Sequence, residues 1–212
     1  MVLSSCYVAT MPSNEAQEFW EQFYGERSQV WSGRPNAVLV EEIDGLTSGT
    51  ALDLGCGEGA DAIWLAERGW QVTAADISQA ALDRAAEHAA AAGVADRITW
   101  ARHDFSRSIP DGPFDLVAAH FLHSPVDDPR DSALRAAAEA VGPGGTLLVV
   151  SHEAVPWHEH VVFPTAQEVL ESLAIDPVAW TIERLGSRPR RAKTPDGVEV
   201  DVDDSVVRLR RH

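Results

Sequence analysis

Between residues 52 and 59 the chain reads Leu-Asp-Leu-Gly-Cys-Gly-Glu-Gly, a run that few folds accept. An apolar stretch enters it and the helix-forming stretch Ala60 to Arg68 leaves it, so the order expected is strand, glycine turn, helix. Gly55, Gly57 and Gly59 let the backbone take positive φ and keep the main chain bare, so a ligand can touch it directly. Nucleotide-like ligands bind at such turns. The dinucleotide fingerprint is spaced G-x-G-x-x-G, whereas here the third glycine comes one residue early. Asp53 adds a carboxylate two positions before the first glycine, which suits a ligand carrying positive charge better than a diphosphate.

From residue 50 onward, strand-like and helix-like segments alternate. The strands read as continuous apolar runs, as they must when helices cover both faces of a parallel sheet. Five strands are expected at Thr50–Leu54, Trp70–Ala75 (closed by Asp76), Ile98–Arg102, Phe114–Ala119 and Thr146–Val150. Helices are expected at Ala60–Arg68 with Gly69 as its C-terminal cap, and at Gln79–Ala92 between Ser78 and Gly93. A third begins with Asp128 as N-cap and Pro129 in its first turn and runs to Ala140, and a fourth follows Thr165 to about Ala174. Val141-Gly142-Pro143-Gly144-Gly145 reads as the turn into the fifth strand. Ala179–Leu185 and Ser205–Arg210 are strand-like, joined by a polar Pro/Gly/Arg connection without a helix, and therefore antiparallel.

Near Ser13 or Asn14 a further helix begins, with Phe19, Trp20, Phe23 and Tyr24 on its apolar face. It is expected to lie over the crevice as part of a lid spanning about residues 13–36, while residues 1–12 read as a loosely ordered tail. The expected fold is Rossmann-like α/β, a doubly wound seven-stranded sheet, mostly parallel with a C-terminal antiparallel pair and helices on both faces. One domain is expected over residues 13–212.

A net charge of -16 would repel a phosphate backbone, and no Lys/Arg cluster interleaved with aromatics offsets it, so nucleic acid is not expected as a partner. Cys6 and Cys56 fit neither a disulfide framework nor a zinc spacing, which points to a reducing cytoplasm. No apolar run reaches the ~18 residues of a membrane span. Nothing in the sequence speaks to oligomeric state.

Asp53-x-Gly55-x-Gly57-x-Gly59, Asp76 closing the second strand, Asp104 after the third, and Gly142-Pro143-Gly144-Gly145 before the fifth resemble the class I S-adenosylmethionine-dependent methyltransferases. The resemblance covers roughly residues 15–211. More narrowly, Trp20-x3-Tyr24 through Trp31-Ser32-Gly33-Arg34-Pro35-Asn36 is similar to the small tellurite-resistance and thiopurine-type methyltransferases. The cofactor implied is S-adenosylmethionine, whose ammonium and sulfonium have the charge that Asp53 suits.

Gly55, Cys56, Gly57 and Gly59 then form the cofactor turn, with Asp53 either anchoring it or facing the ammonium. Cys56 lacks a base partner and is read as a loop residue rather than a nucleophile. Asp76, with Ile77 beside it, stands about twenty residues past the first glycine, where a carboxylate accepts ribose hydroxyls; an acid near the next helix's N-terminus is the alternative. The resemblance places Asp104 and the Phe105 backbone at the adenine, against ordinary turn chemistry. It closes Trp31 and Arg34 over the cofactor or acceptor, Arg34 pairing the cofactor carboxylate or else a surface acid.

His120 and His123 follow the fourth strand, at the crevice end of the sheet. His120 is expected next to the cofactor's methionine end, where it either packs against the cofactor or acts as base. Imidazole titrates near neutrality, so His123 is a candidate base as well, against a hydrogen-bonding or substrate-shaping role for both. His152, His158 and His160 form a second histidine-rich segment with no zinc spacing, and no metal is expected. The activity implied is in-line methyl transfer to a small-molecule acceptor at S, O, N or a chalcogen. An NAD-dependent oxidoreductase and a non-catalytic S-adenosylmethionine-binding module remain as alternatives. The stretch after the fourth strand reads His-Phe-Leu-His-Ser, without the Asn/Asp-Pro-Pro-aromatic run used on flipped bases.

Overall fold

The computed structural model describes residues 13–124, 130–154, 163–194 and 197–212. The expected N-terminal tail, the Asp128-Pro129 helix start, and His158 and His160 lie outside the described residues. The elements run α1 (Ser13–Gly25), α2 (Ala37–Glu42), β1 (Thr50–Leu54), α3 (Ala60–Glu67), β2 (Gln71–Asp76), α4 (Gln79–Ala92), β3 (Ile98–Arg102), β4 (Phe114–His120), α5 (Arg130–Glu139), β5 (Val141–Ala154), α6 (Ala166–Ser172), β6 (Trp180–Lys193) and β7 (Glu199–Arg211). One seven-stranded sheet forms in the order β3-β2-β1-β4-β5-β7-β6. β1 to β5 pair in parallel, and β7 runs antiparallel to both β5 and β6.

Strand alternation divides the core between the two faces. Leu52, Leu54, Val117, Ala119, Leu147 and Val149 pack with Leu134 of α5 and Val169 of α6. Their neighbours in sequence, Ala51, Leu116, Ala118, Leu148 and Val150, pack on the opposite face with Val38 and Leu39 of α2 and with Ala62 and Leu65 of α3. By the same period of two, Asp53, Asp76, His120 and His152 fall on the α3 face, at the carboxyl ends of their strands.

Local signals account for several boundaries. The Ser78 side chain accepts from Ala81 N, and Gly93 closes α4 in the left-handed conformation. Thr165 and Glu168 form a reciprocal capping box at the start of α6.

Three elements differ from expectation. α2 went unpredicted, being a six-residue helix whose N-cap Asn36 accepts from Val38 N and whose stability comes from burying Val38 and Leu39. β5 begins at Val141, because the Gly-Pro-Gly-Gly segment is accommodated as an irregularity between the pairs Phe114–Val141 and Leu116–Thr146 instead of ending the strand. The polar connection near the C-terminus is itself strand: β6 and β7 pair from Trp180–Arg211 out to Lys193–Glu199. Its arginines bond carboxylates across the pair and on α2, so composition that resembles a linker lies in a ladder.

Candidate active site

The glycine turn joins β1 to α3. Gly55 N and Cys56 N both donate to Ala75 O, locking the turn to the end of β2. Gly55, Gly57 and Gly59 have φ of 80°, 52° and 83°, a region that L side chains rarely enter. A methyl on Gly59 would come within 2.9 Å of Ala85 and Trp100, so Gly59→Ala is expected to cost about 1–3 kcal/mol, read as a lowered denaturation midpoint. A methyl on Gly57 would meet the Tyr24 hydroxyl at 3.0 Å and Trp31 Nε1 at 3.1 Å, which places the N-terminal segment directly over the turn.

Asp53 is 2% exposed and its Oδ2 has no hydrogen-bond partner among the described residues. Burial, then the charges of Asp61 and Asp76, push its carboxyl well above the ordinary range, with the Ala62 N–H acting in the opposite sense. Asp76 accepts from Gly57 N at 2.9 Å and from Ser78 N at 3.0 Å, tying the turn to the start of α4. Burial raises its pKa despite these bonds. Four lone-pair sites on two oxygens leave it acceptor capacity for hydroxyls. Burial and the Asp76 and Asp53 charges push the Cys56 thiol up, which keeps it protonated and unreactive.

Sequence reading missed Glu58 and Asp61. Glu58 accepts from Val30 N at 3.1 Å and Trp31 N at 2.8 Å and forms an ion pair with Arg84, whose guanidinium also reaches the carbonyls of Tyr24 and Arg27. Burial alone pushes the Glu58 carboxyl up, but these donors outweigh it and hold the group below its ordinary value. Glu21 of α1 accepts from Ser78 Oγ and Gln79 N, a second tie between the N-terminal segment and α4. Asp61, in the first turn of α3, accepts from Asn36 N at 2.6 Å and faces His120 Nδ1 at 2.7 Å. Nothing in the sequence pairs residue 61 with residue 120, since an acid in a first turn ordinarily serves the helix dipole.

His120 was expected in a loop; it is instead the last residue of β4, its side chain 5% exposed and its Nε2 without a partner among the described residues. His123 has different neighbours. Its Nε2 accepts from His152 N, and its ring stacks on His152 and meets Phe163 edge-on. His152 belongs to β5 and shares the buried Asp204 with Arg190. Asp104 is committed locally, accepting from Ser106 N and Oγ and pairing Arg107, so its contacts are those of the turn alternative. Phe105 is buried in the core. The Ile77 carbonyl accepts from Arg102 Nε. Trp31 is 51% exposed, with Nε1 donating to the Tyr24 hydroxyl, and Arg34 is exposed, its N–H on Ser32 Oγ.

The sheet order, the antiparallel β7 insertion and the glycine turn define the class I S-adenosylmethionine-dependent methyltransferase fold. Residues 51–145 match the family described as a methyltransferase domain.

The chain is 34% identical over 149 residues to the tRNA 5-carboxymethoxyuridine methyltransferase of Escherichia coli K12, the match covering 66% of this chain and 55% of that protein. The chain thus spans about half the length of this relative. It is 25% identical over 193 residues to thiocyanate methyltransferase 1 of Brassica oleracea, covering 89% and 85% of the two chains. The crystal structure of TehB from Haemophilus influenzae superposes with a TM-score of 0.69 at 16% identity, over 93% of this chain and 67% of that one, and shows the same fold.

The residues present fit the cofactor of this fold. Among the described residues the buried Asp53 Oδ2 has no partner and so offers an acceptor for an ammonium. No helix among the described residues is long and apolar enough to cross a membrane.

Proposed function

We propose that this chain transfers the methyl group of S-adenosylmethionine to a small-molecule acceptor. The observation that carries the reading is the buried Asp53 carboxyl group, which among the described residues has no cation in ion-pair contact and one oxygen free behind the glycine turn. When bound, the cofactor supplies an activated methyl on a sulfonium leaving group. Asp53 holds its ammonium, Asp76 its ribose, and Trp31 and Arg34 close over it. His120 stands at the reacting end as the candidate base, while His123 shapes the adjoining ring cluster. Positioning and exclusion of water account for most of the rate, since alignment alone reaches effective molarities of about 10⁵ M or more.

Charge supports a small acceptor over a polyanion. The chain is at -16, and Arg184, Arg188, Arg190 and Arg208 of the C-terminal hairpin are already paired with Glu42, Glu41, Asp204 and Glu183. The thiocyanate methyltransferase relative, matched over most of its length, agrees.

Calorimetry with S-adenosylhomocysteine tests the cofactor reading. Asp53 holds its proton above the ordinary carboxylate range, so binding an ammonium beside it must expel that proton. Affinity is therefore expected to fall as pH drops below the raised value, by about tenfold per unit, with proton release in buffers of different ionisation enthalpy. Binding of NADH instead would establish the oxidoreductase alternative, and failure to transfer labelled methyl to any component of a metabolite extract would leave a binding module.

A further inference from the structure

We infer that Asp61 is the positioning residue for a His120 base, and that the acceptor therefore carries an ionisable X–H group (hydroxyl, thiol or amine) instead of arriving as a preformed anion. This rests on the proposed methyl transfer. Asp61 Oδ1 is held by the backbone N–H of Asn36 at 2.6 Å, which fixes Oδ2 where it meets His120 Nδ1 at 2.7 Å. Facing an oxygen that serves as acceptor, Nδ1 carries the proton, so the lone pair lies on Nε2. That atom is buried and has no hydrogen-bond partner among the described residues, an unfavourable state that a donor X–H relieves.

The groups around the ring have one dominant sign. Asp61 faces it from α3, with Asp53 of β1 coupled electrostatically to Asp61 and Asp76 of β2 beyond. The Phe121 ring packs on that of His152, which shares Asp204 with Arg190. Carboxylates so placed disfavour an incoming anion. In the step, the X–H proton passes to Nε2 and the pair left on X forms the X–CH3 bond. The methyl–sulfur pair stays on sulfur as the thioether, and the imidazolium later releases its proton to water.

Nitrogen-15 NMR of the histidine-labelled protein with S-adenosylhomocysteine tests this, His120 being assigned from the signal lost in His120→Asn. Nδ1–H with a bare Nε2 is expected, and Nε2–H in the wild-type protein overturns the inference. Asp61→Asn is expected to invert the tautomer, because its amide accepts from Asn36 and donates to Nδ1; an unchanged tautomer in a folded variant also overturns it. If that variant does not fold, the wild-type spectrum decides. Absence of S-adenosylhomocysteine binding counts against the methyl-transfer reading alone, since the ligand-free spectrum still reports the tautomer. With phenol, 2-mercaptoethanol and aniline set against thiocyanate and iodide, turnover is expected only in the first group and falls about 10³-fold in Asp61→Asn with KM little changed. Turnover confined to the anions, or indifferent to Asp61, overturns the assignment of acceptor class.

Discussion

Asp53→Asn is expected to make the ligand-free protein more stable at neutral pH while weakening S-adenosylhomocysteine binding by roughly 10²- to 10³-fold. Both effects have one cause. The carboxyl is raised by burial and by Asp61 and Asp76, so the native state holds its proton more tightly than the unfolded chain does. Such a group contributes stability that is fully present below the ordinary carboxylate pKa and is lost as pH rises through the raised native value. At neutral pH the unfolded chain ionises this group freely, whereas the folded protein must either retain the proton or bury the charge, a cost that the amide does not carry. A gain of about 1–2 kcal/mol, common when a strained functional site is relieved, raises Tm by about 2–8 °C in a chain of this size. Binding moves the opposite way, because losing one partner of a buried charge pair costs about 2–5 kcal/mol. Thermal scans of wild type and variant from pH 5 to 8, with and without ligand, check both. The ligand-free curves should diverge as pH rises and cross on saturation, and a variant less stable than wild type at every pH would make Asp53 a structural anchor.

Glu58→Ala is expected to detach the N-terminal segment from the glycine turn. The substitution removes the acceptor for Val30 N and Trp31 N and leaves the Arg84 guanidinium, 18% exposed, without its carboxylate. Breaking a buried pair on one side costs about 3–5 kcal/mol. Here the cost falls on contacts between the N-terminal segment and the turn rather than on the sheet, so hydrogen exchange should accelerate at Val30 and Trp31 and through α1, with β1, β4 and β5 still protected. Glu58→Gln retains acceptor capacity and should lose less. The pH sense is opposite to that of Asp53: a lowered carboxyl contributes stability present above its ordinary value near 4.5 and lost as pH falls through the native value. Acid should therefore loosen this segment below about pH 4.5 in wild type and have little further effect in Glu58→Ala. Uniform loss of protection across the sheet would show that Glu58 supports the whole fold.

Elements with their own punctuation were readable from one dimension. The β1–turn–α3 unit, α4 between Ser78 and Gly93, and α6 after Thr165 each carry a cap, a glycine or an apolar period within a few residues, and those local energies point the same way as the fold. α2 was invisible because six residues hold no helix until Val38 and Leu39 find the sheet. The antiparallel pair β6–β7 was legible over Ala179–Leu185 and Ser205–Arg210, but not its extension to Lys193–Glu199, because the arginines there resemble a polar linker until their carboxylates are in place.

The same division runs through the site. That Asp53, the three glycines and Asp76 meet at one turn could be read in advance, because their placement follows from the strand, turn and helix that carry them. The pairing of Asp61 with His120, the grip of Glu58 on residues 30 and 31, and the separate partners of His120 and His123 came only with the folded chain. These contacts join positions 27 to 59 residues apart, and side chains so distant are brought within hydrogen-bond reach by the register of β1 against β4 and by the packing of α3, neither of which leaves a periodic trace along the sequence.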